Sequence, residues 1–487
     1  MKALVVGHGA RGQAIATRLA MEGWNVCIAS TKPPPCALLS RQPEHVLVPD
    51  YRASELVHSA IAISADIIVP TNEHALFGGV ADEAEKAGIS CIGHSRRASE
   101  LIEVNRATVI SCLRPLLPAR PPRGRVVGDR KTLTEMALNK GHVVAKPLSV
   151  TEDGVPQRIR FISANQAALS TEGDRGVCDL TYPVWVEDYL PGKEFSLHFF
   201  FRCGVGAHIG TTLDYPFLDI DSRVLTGGMG SVSLPDKNEI VPPSVLGACK
   251  KMIDAGLKAM QEAESVILNG FVSAQFRITS RGVIFTELDC KPGDPEILAL
   301  LHGTNGSLSG MLTGKRPLRR TNTYTVALPM VAPGYPDTAS KALRFNVSVL
   351  GDQTPIYQGD LHCRGEHAHT GRSRTLCVVR NAMTIEAARA SAVAAASRIA
   401  EKCGLTFRLD VGDVEHNDPS ARVRRSLKRL AEKGGKRIML RLTPDGNRSL
   451  DRIILLRGYK SRTEAINAVL IEASSQRGKK TRGVNKL

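Results

Sequence analysis

The chain has 487 residues, too many for one hydrophobic core, and 43% hydrophobic content with a mean hydropathy of −0.10 describes a globular protein of several domains. No apolar run approaches the roughly 18 residues of a membrane span, and eleven scattered cysteines without a Cys-x-x-Cys pair argue for reduced thiols against a disulfide framework or zinc site. The formal net charge of +16 is uneven: residues 421–487 carry 19 Lys+Arg against 5 Asp+Glu, which leaves the body nearly neutral.

The chain opens with a strand, Ala3–Val6, that meets Gly7-His8-Gly9-Ala10-Arg11-Gly12 and a helix from about Gln13 to Glu22. No small-residue cleavage site follows, so the expected location is the cytoplasm. Strands at Asn25–Ala29, Ala65–Pro70 and Ser90–Ile92, with a helix at Gly79–Ala87, complete a doubly wound pattern. The glycine turn suits a phosphate at a helix N-terminus. A nicotinamide cofactor would need an acid closing the second strand, and Ser30-Thr31-Lys32 has none. A phosphoribosyl phosphate is the better ligand.

Further along, the strand His142–Lys146 is followed by Leu148–Val155, which holds one glycine and the acids Glu152 and Asp153. Val184–Leu190 is a strand entering the turn Pro191-Gly192-Lys193-Glu194. Thr226-Gly227-Gly228-Met229-Gly230 offers successive backbone N–H groups, an anion or oxyanion cradle. The strand-like run Gly282–Phe285 leads into Thr286-Glu287-Leu288-Asp289-Cys290-Lys291-Pro292-Gly293-Asp294-Pro295-Glu296. Strand alternation projects Glu287, Asp289 and Lys291 from one face. Two carboxylates and a cation suit Mg²⁺ held against a polyphosphate.

These motifs, in this order and with Ala332-Pro333-Gly334-Tyr335-Pro336 downstream, resemble the phosphoribosylamine–glycine ligase (glycinamide ribonucleotide synthetase) family of ATP-grasp enzymes. The resemblance runs from Met1 to about Gly412. It implies an α/β ATP-grasp fold with an N-terminal doubly wound domain (1–105), a lid region (106–195), a catalytic region (196–325) and a small carboxyl-terminal α+β domain (326–413). It assigns substrate binding to Gly9, Arg11, Glu73, Thr226, Gly227, Met229 and Gly230. ATP falls to Lys146, Glu187, Asp188, Leu190, Glu194 and Gln275, with Glu187–Leu190 at the adenine edge and Glu194 on ribose hydroxyls. Mg²⁺ (or Mn²⁺) falls to Glu287 and Asp289, and catalytic roles to Lys291, Asp294 and Gly228.

Departures from the family pattern are specific. Arg106 replaces a lysine, Thr71-Asn72-Glu73 replaces Gly-Pro-Glu, and acids stand in the glycine-rich flap, where they repel triphosphate. Asp214-Tyr215-Pro216-Phe217 lacks the usual basic residues, and Lys291 replaces an arginine, keeping charge but losing the bidentate fork. Gly371-Arg372, an Ala-rich helix at Thr384–Ala400 and Phe407–Gly412 match the family's carboxyl-terminal domain.

A basic linker (414–435) and a tail (436–487) remain. Lys436–Pro444 reads as a short strand with Ile438, Leu440 and Leu442 on one side and Arg437, Met439 and Arg441 on the other. A helix holding Leu450, Ile453 and Ile454 follows, then a helix opening at Ser461 with Glu464 in a capping box. This resembles a dimeric ribbon–helix–helix DNA-binding domain, which implies Arg437, Met439 and Arg441 in the major groove and Ser461 at a phosphate. The leading expectation is an ATP-dependent ligase joining glycine to phosphoribosylamine through an acyl phosphate, with no membrane partner and with DNA and a second copy as partners of the tail. Two alternatives stay open: the same chemistry on another amino acid or amine, and a nucleic-acid-binding regulator with a degenerate ligase body.

Overall fold

A computed structural model describes residues 1–33, 43–113, 124–149, 160–163, 180–220, 222, 224–280, 282–336, 342–350 and 355–414, together with residues 450, 453, 466 and 468. The chain divides into two compact units, 1–417 and 418–487. The flap acids Glu152 and Asp153 and the tail residues Arg437, Met439, Arg441 and Ser461 lie outside the described residues, as does the side chain of Arg106. In the second unit Leu450, Ile453, Ile466 and Ala468 are helical, and Leu450 is buried.

The first unit opens with strands β1 (Lys2–Val6), β2 (Asn25–Ser30), β3 (Glu44–Leu47), β4 (Ile67–Pro70) and β5 (Ser90–Cys91), all parallel in the order β3-β2-β1-β4-β5. Ala3 to Val6 are fully buried because both sheet faces are covered, as a parallel sheet requires. One face packs under helices Ala53–Ala62 and Val80–Lys86. The other meets helix Ala10–Met21, which abuts helix Glu296–His302 of the catalytic body. The strand order reverses at β1/β4, so the crevice forms at the Gly7–Gly12 turn. Helix Ala10–Met21 begins three residues earlier than predicted, with Gly9 extended at its N-cap.

A four-stranded antiparallel lid sheet follows: β6 (Gly124–Val127), β7 (His142–Pro147), β8 (Arg160–Ser163) and β9 (Val184–Asp188), ordered β6-β9-β7-β8 over its own core of Val143, Val186 and Leu133. The main sheet is antiparallel and nine-stranded. It holds β10 (Lys193–Arg202), β11 (Val205–Asp214), β12 (Ser231–Leu234), β13 (Gly270–Thr279) and β14 (Gly282–Asp289). After the short pair β15 (Thr304–Asn305) and β16 (Arg319–Arg320), β17 (Tyr324–Val331) rejoins the main sheet beside β12. A three-stranded sheet contains β18 (Arg344–Asn346), β20 (Leu361–Arg364) and β21 (His367–Thr370). The main sheet is completed by β19 (Ile356–Gln358), β22 (Leu376–Ala382) and β23 (Thr406–Phe407).

The predicted division at 325/326 therefore falls inside β17, and the carboxyl-terminal segment continues the catalytic sheet through β17 and β22. Likewise 195/196 falls inside β10. Hydrogen bonding across strands overrides motif boundaries here. The Ala-rich helix spans Ile385–Cys403, with Thr384 as N-cap accepting from Ala387 N at 3.2 Å. Eight described cysteines are free, but Cys363 is disulfide-bonded, which corrects the all-reduced expectation.

Candidate functional site

Of the predicted nucleotide residues, Lys146 and Glu187 line a narrow cleft of about 20 Å³ between lid and main sheet, walled also by Trp185, Glu287, Ile102 and Phe285, whereas Asp188, Leu190, Glu194 and Gln275 lie outside its lining. Lys146 of β7 is buried. It pairs with Glu187 of the adjacent β9 and donates to the Thr286 carbonyl at 2.7 Å, tying the lid to β14. Glu187 also accepts from the Trp185 indole at 3.1 Å. Asp188 pairs with Lys140 at the lid surface. Three assigned residues, Lys146, Glu187 and Asp188, are thus already engaged within the protein. Arg277, which carried no signal in the sequence reading, donates to Glu194 at 2.5 and 3.1 Å and to the Leu190 carbonyl at 3.1 Å, and lies over the Tyr189 ring. Glu194 is thus a partner of Arg277 first, and Arg277 fixes the hinge turn.

On the main sheet, Glu287 and Asp289 share a face of β14, and Gln275 of β13 is the cross-strand neighbour of Glu287. Gln275 donates to Asp289 Oδ2 at 2.7 Å and so orients that carboxylate. Two carboxylates on one strand face suit Mg²⁺ that takes its other ligands from phosphate and water. Among the described residues no three His, Cys, Asp or Glu side chains cluster as a metal site would require.

Lys291, predicted beside these acids, has left the strand. Its ammonium is enclosed by Glu103 (2.8 Å), Glu73 (3.4 Å) and Asp289 (3.4 Å). Burial would lower the Lys291 pKa, but Glu103, Asp289 and Glu73 together raise it well above the usual value. Glu73 in turn faces Arg11 at 3.7 Å, and Arg11 donates to the Pro292 carbonyl at 2.7 Å. Burial would raise the Glu73 pKa; Lys291 and Arg11 outweigh it and hold the carboxyl at about 2.

The predicted N–H cradle is mostly spoken for. Gly227 N donates to the Tyr335 hydroxyl at 3.4 Å, Gly228 N to Thr226 Oγ1 at 3.0 Å and Met229 N to the Tyr215 carbonyl at 2.8 Å. The Met229 side chain is 1% exposed and belongs to the core, so it does not face a substrate. What organises the loop is Arg374, a residue the sequence reading passed over beside Gly371-Arg372. It donates to the carbonyls of Gly227 (2.6 Å), Gly228 (3.1 Å) and Asp294 (2.6 Å) and pairs with the Asp294 carboxylate at 3.0 Å. Asp294 is therefore half of a clamp joining two loops. Gly228 has φ +102°, where a Cβ would also stand 2.9 Å from Pro295.

Behind the clamp is a cavity of about 220 Å³ lined by His8, Gly9, Lys32, Asp360, Ser373 and Arg374. Gln13 stitches its two walls together, donating to the His8 and Gln358 carbonyls and accepting from Gln358 N. Lys32 pairs with Asp360 at 2.8 Å, and Asp360 also accepts from the Arg372 and Ser373 amides. His8 Nδ1 is buried without a hydrogen-bond partner, and burial followed by Lys32 lowers the imidazole pKa to about 4. Lys32 and Arg374 are the lysine and arginine that line this cavity. Beside the loop, burial raises the Asp214 pKa to about 7 against hydrogen bonds from Ser196 (2.5 Å) and Thr212 (2.7 Å), with Glu194 and Asp289 adding repulsion. Glu296 is raised well above its usual value, by burial and then by Asp214.

The sequence matches the phosphoribosylglycinamide synthetase N domain over residues 1–102 and the ATP-grasp (A) domain of the same synthetase over residues 158–297. A phosphoribosylamine–glycine ligase of Methanosarcina barkeri is 27% identical over 431 residues, covering 85% of this chain and 96% of the relative. The crystal structure of the Thermotoga maritima phosphoribosylamine–glycine ligase superposes with a TM-score of 0.65 at 19% identity, covering 84% of this chain and all of that one. The biotin carboxylase domain of Hydrogenobacter thermophilus 2-oxoglutarate carboxylase, solved with magnesium–ADP and bicarbonate, shares the fold with a TM-score of 0.58 at 13% identity, covering 83% and 90%. With both of its domains matched in order along one chain, the protein belongs to the phosphoribosylglycinamide synthetase family and has the ATP-grasp fold.

Proposed function

We propose that the protein is an ATP-dependent ligase that activates glycine as an acyl phosphate and transfers it to the amine of phosphoribosylamine. The observation that carries this reading is the succession along β14 and the turn after it: Lys146 held at the Thr286 carbonyl, Glu287 and Asp289 on one strand face, and Asp294 clamped by Arg374 at the edge of the cavity that holds Lys32. Mg²⁺, when bound, would neutralise charge developing between the β- and γ-phosphates. Lys146 would exchange the Thr286 carbonyl for phosphate oxygens. Lys32, Arg374 and Ser373 suit the phosphate of phosphoribosylamine. Asp214 and Glu296, which have no ion-pair partner among the described residues, suit the ammonium of glycine.

The test is ADP release by the purified protein with phosphoribosylamine generated in situ. ADP should appear only when glycine, amine, ATP and Mg²⁺ are all present. Turnover with another amino acid but not glycine would sink the substrate assignment, and no turnover with any would sink the ligase.

For the tail we propose sequence-specific contact with DNA as a dimer. The support is the excess of 14 positive charges in residues 421–487 and the alternation of Arg437, Met439 and Arg441 with Ile438, Leu440 and Leu442.

A further inference from the structure

Glu103 is the last residue of helix Arg96–Glu103, where a carboxylate meets the negative end of the helix dipole and gains nothing from it. Its neighbours Leu101 and Ile102 are core residues, and Glu103 itself is only 9% exposed. A buried acid at an unfavourable helix end needs a strong partner elsewhere. Glu103 Oε1 accepts from Lys291 Nζ at 2.8 Å, the shortest of the three carboxylate contacts of that lysine. Its other oxygen accepts from the Cys290 amide at 3.3 Å and the Cys290 thiol at 3.1 Å. Both oxygens therefore grip the two residues that follow Asp289.

The consequences follow from counting donors. An ammonium has three, and here Glu103, Glu73 and Asp289 surround it, so Lys291 has little left for a substrate phosphate. Asp289 is fixed between Lys291 on Oδ1 and Gln275 on Oδ2. We infer that Glu103 is a positioning residue for the metal face: by anchoring Lys291 and the Cys290 amide it presets Asp289, a task that a bidentate arginine at position 291 would share with its own second N–H. The inference rests on the ligase reading above.

The test is calorimetric titration of the full-length protein with ADP, once with excess Mg²⁺ and once in EDTA, alongside steady-state kinetics. In Glu103→Gln, the gain in ADP affinity from Mg²⁺ should shrink by about tenfold or more, the usual scale for losing a group that orients a metal ligand. ADP affinity in EDTA should stay within about twofold of wild type, and kcat should fall while the glycine KM holds. Because Lys291 mediates the effect, the double variant Glu103→Gln/Lys291→Gln, checked for folding by circular dichroism, should lose no more than the worse single variant. Three results would overturn the assignment: an unchanged Mg²⁺ gain, multiplicative losses in the double variant, or a parallel loss of ADP affinity in EDTA. If the wild type shows no Mg²⁺ gain at all, the ligase reading falls with it.

Discussion

At the scale of single residues, the site is defined by which charges are already answered and which are not. Lys291, Glu194 and Asp294 are answered by Glu103, Arg277 and Arg374. Asp214 and Glu296 have no ion-pair partner among the described residues, and burial raises the pKa of both. Glu287→Gln should lower turnover by roughly two orders of magnitude, the scale of removing one preorganised contact to transition-state charge, with an unchanged circular dichroism spectrum. Full activity in a folded variant would remove Glu287 from the metal face. Asp214 gives a pH signature. Its folded pKa of about 7 lies above that of an unfolded aspartate, so folded protein keeps a proton that the unfolded chain releases between about pH 4 and pH 7. Its contribution to stability is thus fully present below about pH 4 and lost as pH rises to about 7. The groups facing it are Ser196, Thr212, Glu194, Asp289 and Glu296, and Asn at 214 cannot titrate. Asp214→Asn should therefore gain stability relative to wild type on going from pH 4 to pH 8, read as the difference in urea midpoints. The same titration predicts weaker glycine binding below about pH 7, with the dependence changed in the variant, where only Glu296 still titrates.

At the scale of elements, Arg374 joins the Thr226–Gly230 loop to the Asp294 turn, and neither loop has regular structure to hold it. Arg374→Met leaves three carbonyls and a partly buried carboxylate without their donor, so a loss of about 3–5 kcal/mol is expected in chemical denaturation. Gly230→Ala tests the other end of the loop, because its Cβ would lie 2.3 Å from Val411 Cγ2. Overpacking of that kind costs about 1–3 kcal/mol. A smaller loss in both would show that the loop is held by contacts other than these. The same elements explain what was legible in the sequence. Strands β1, β2 and β4, the glycine turn and the alternation of Glu287 and Asp289 are local patterns, and each appears as read. Strand β3 went unread because Glu44–Leu47 is short and mixed in polarity. Arg277, Arg374, Lys32 and Glu103 were missed for a different reason. Each acts on a residue 83 to 328 positions away, and no periodicity carries that distance. Only Glu103 left a local trace, an acid ending an apolar helix face.

At the scale of the whole molecule, charge separates the two units more sharply than sequence pattern does. Residues 421–487 hold nearly all of the net positive charge, and the body that carries the candidate site is close to neutral. Under the proposed reading of the tail, its lysines and arginines would hold a polyanion in any register unless groove-facing side chains select a sequence. A chain ending at Asp413 should keep ADP release and lose retention on duplex DNA. A chain from Gly435 to Leu487 should be dimeric by sedimentation, and its DNA affinity should fall with a logarithmic salt slope of about −0.9 per phosphate neutralised. Within it, Arg441→Ala should reduce discrimination between a selected duplex and a random one by about 1–3 kcal/mol while changing the random-duplex affinity much less. That asymmetry separates readout from stickiness, because a lysine or arginine on a phosphate weakens both duplexes alike. Equal loss on both duplexes would make Arg441 a backbone contact, and a monomeric, unstructured tail would end the ribbon reading while leaving the ligase reading of residues 1–413 untouched.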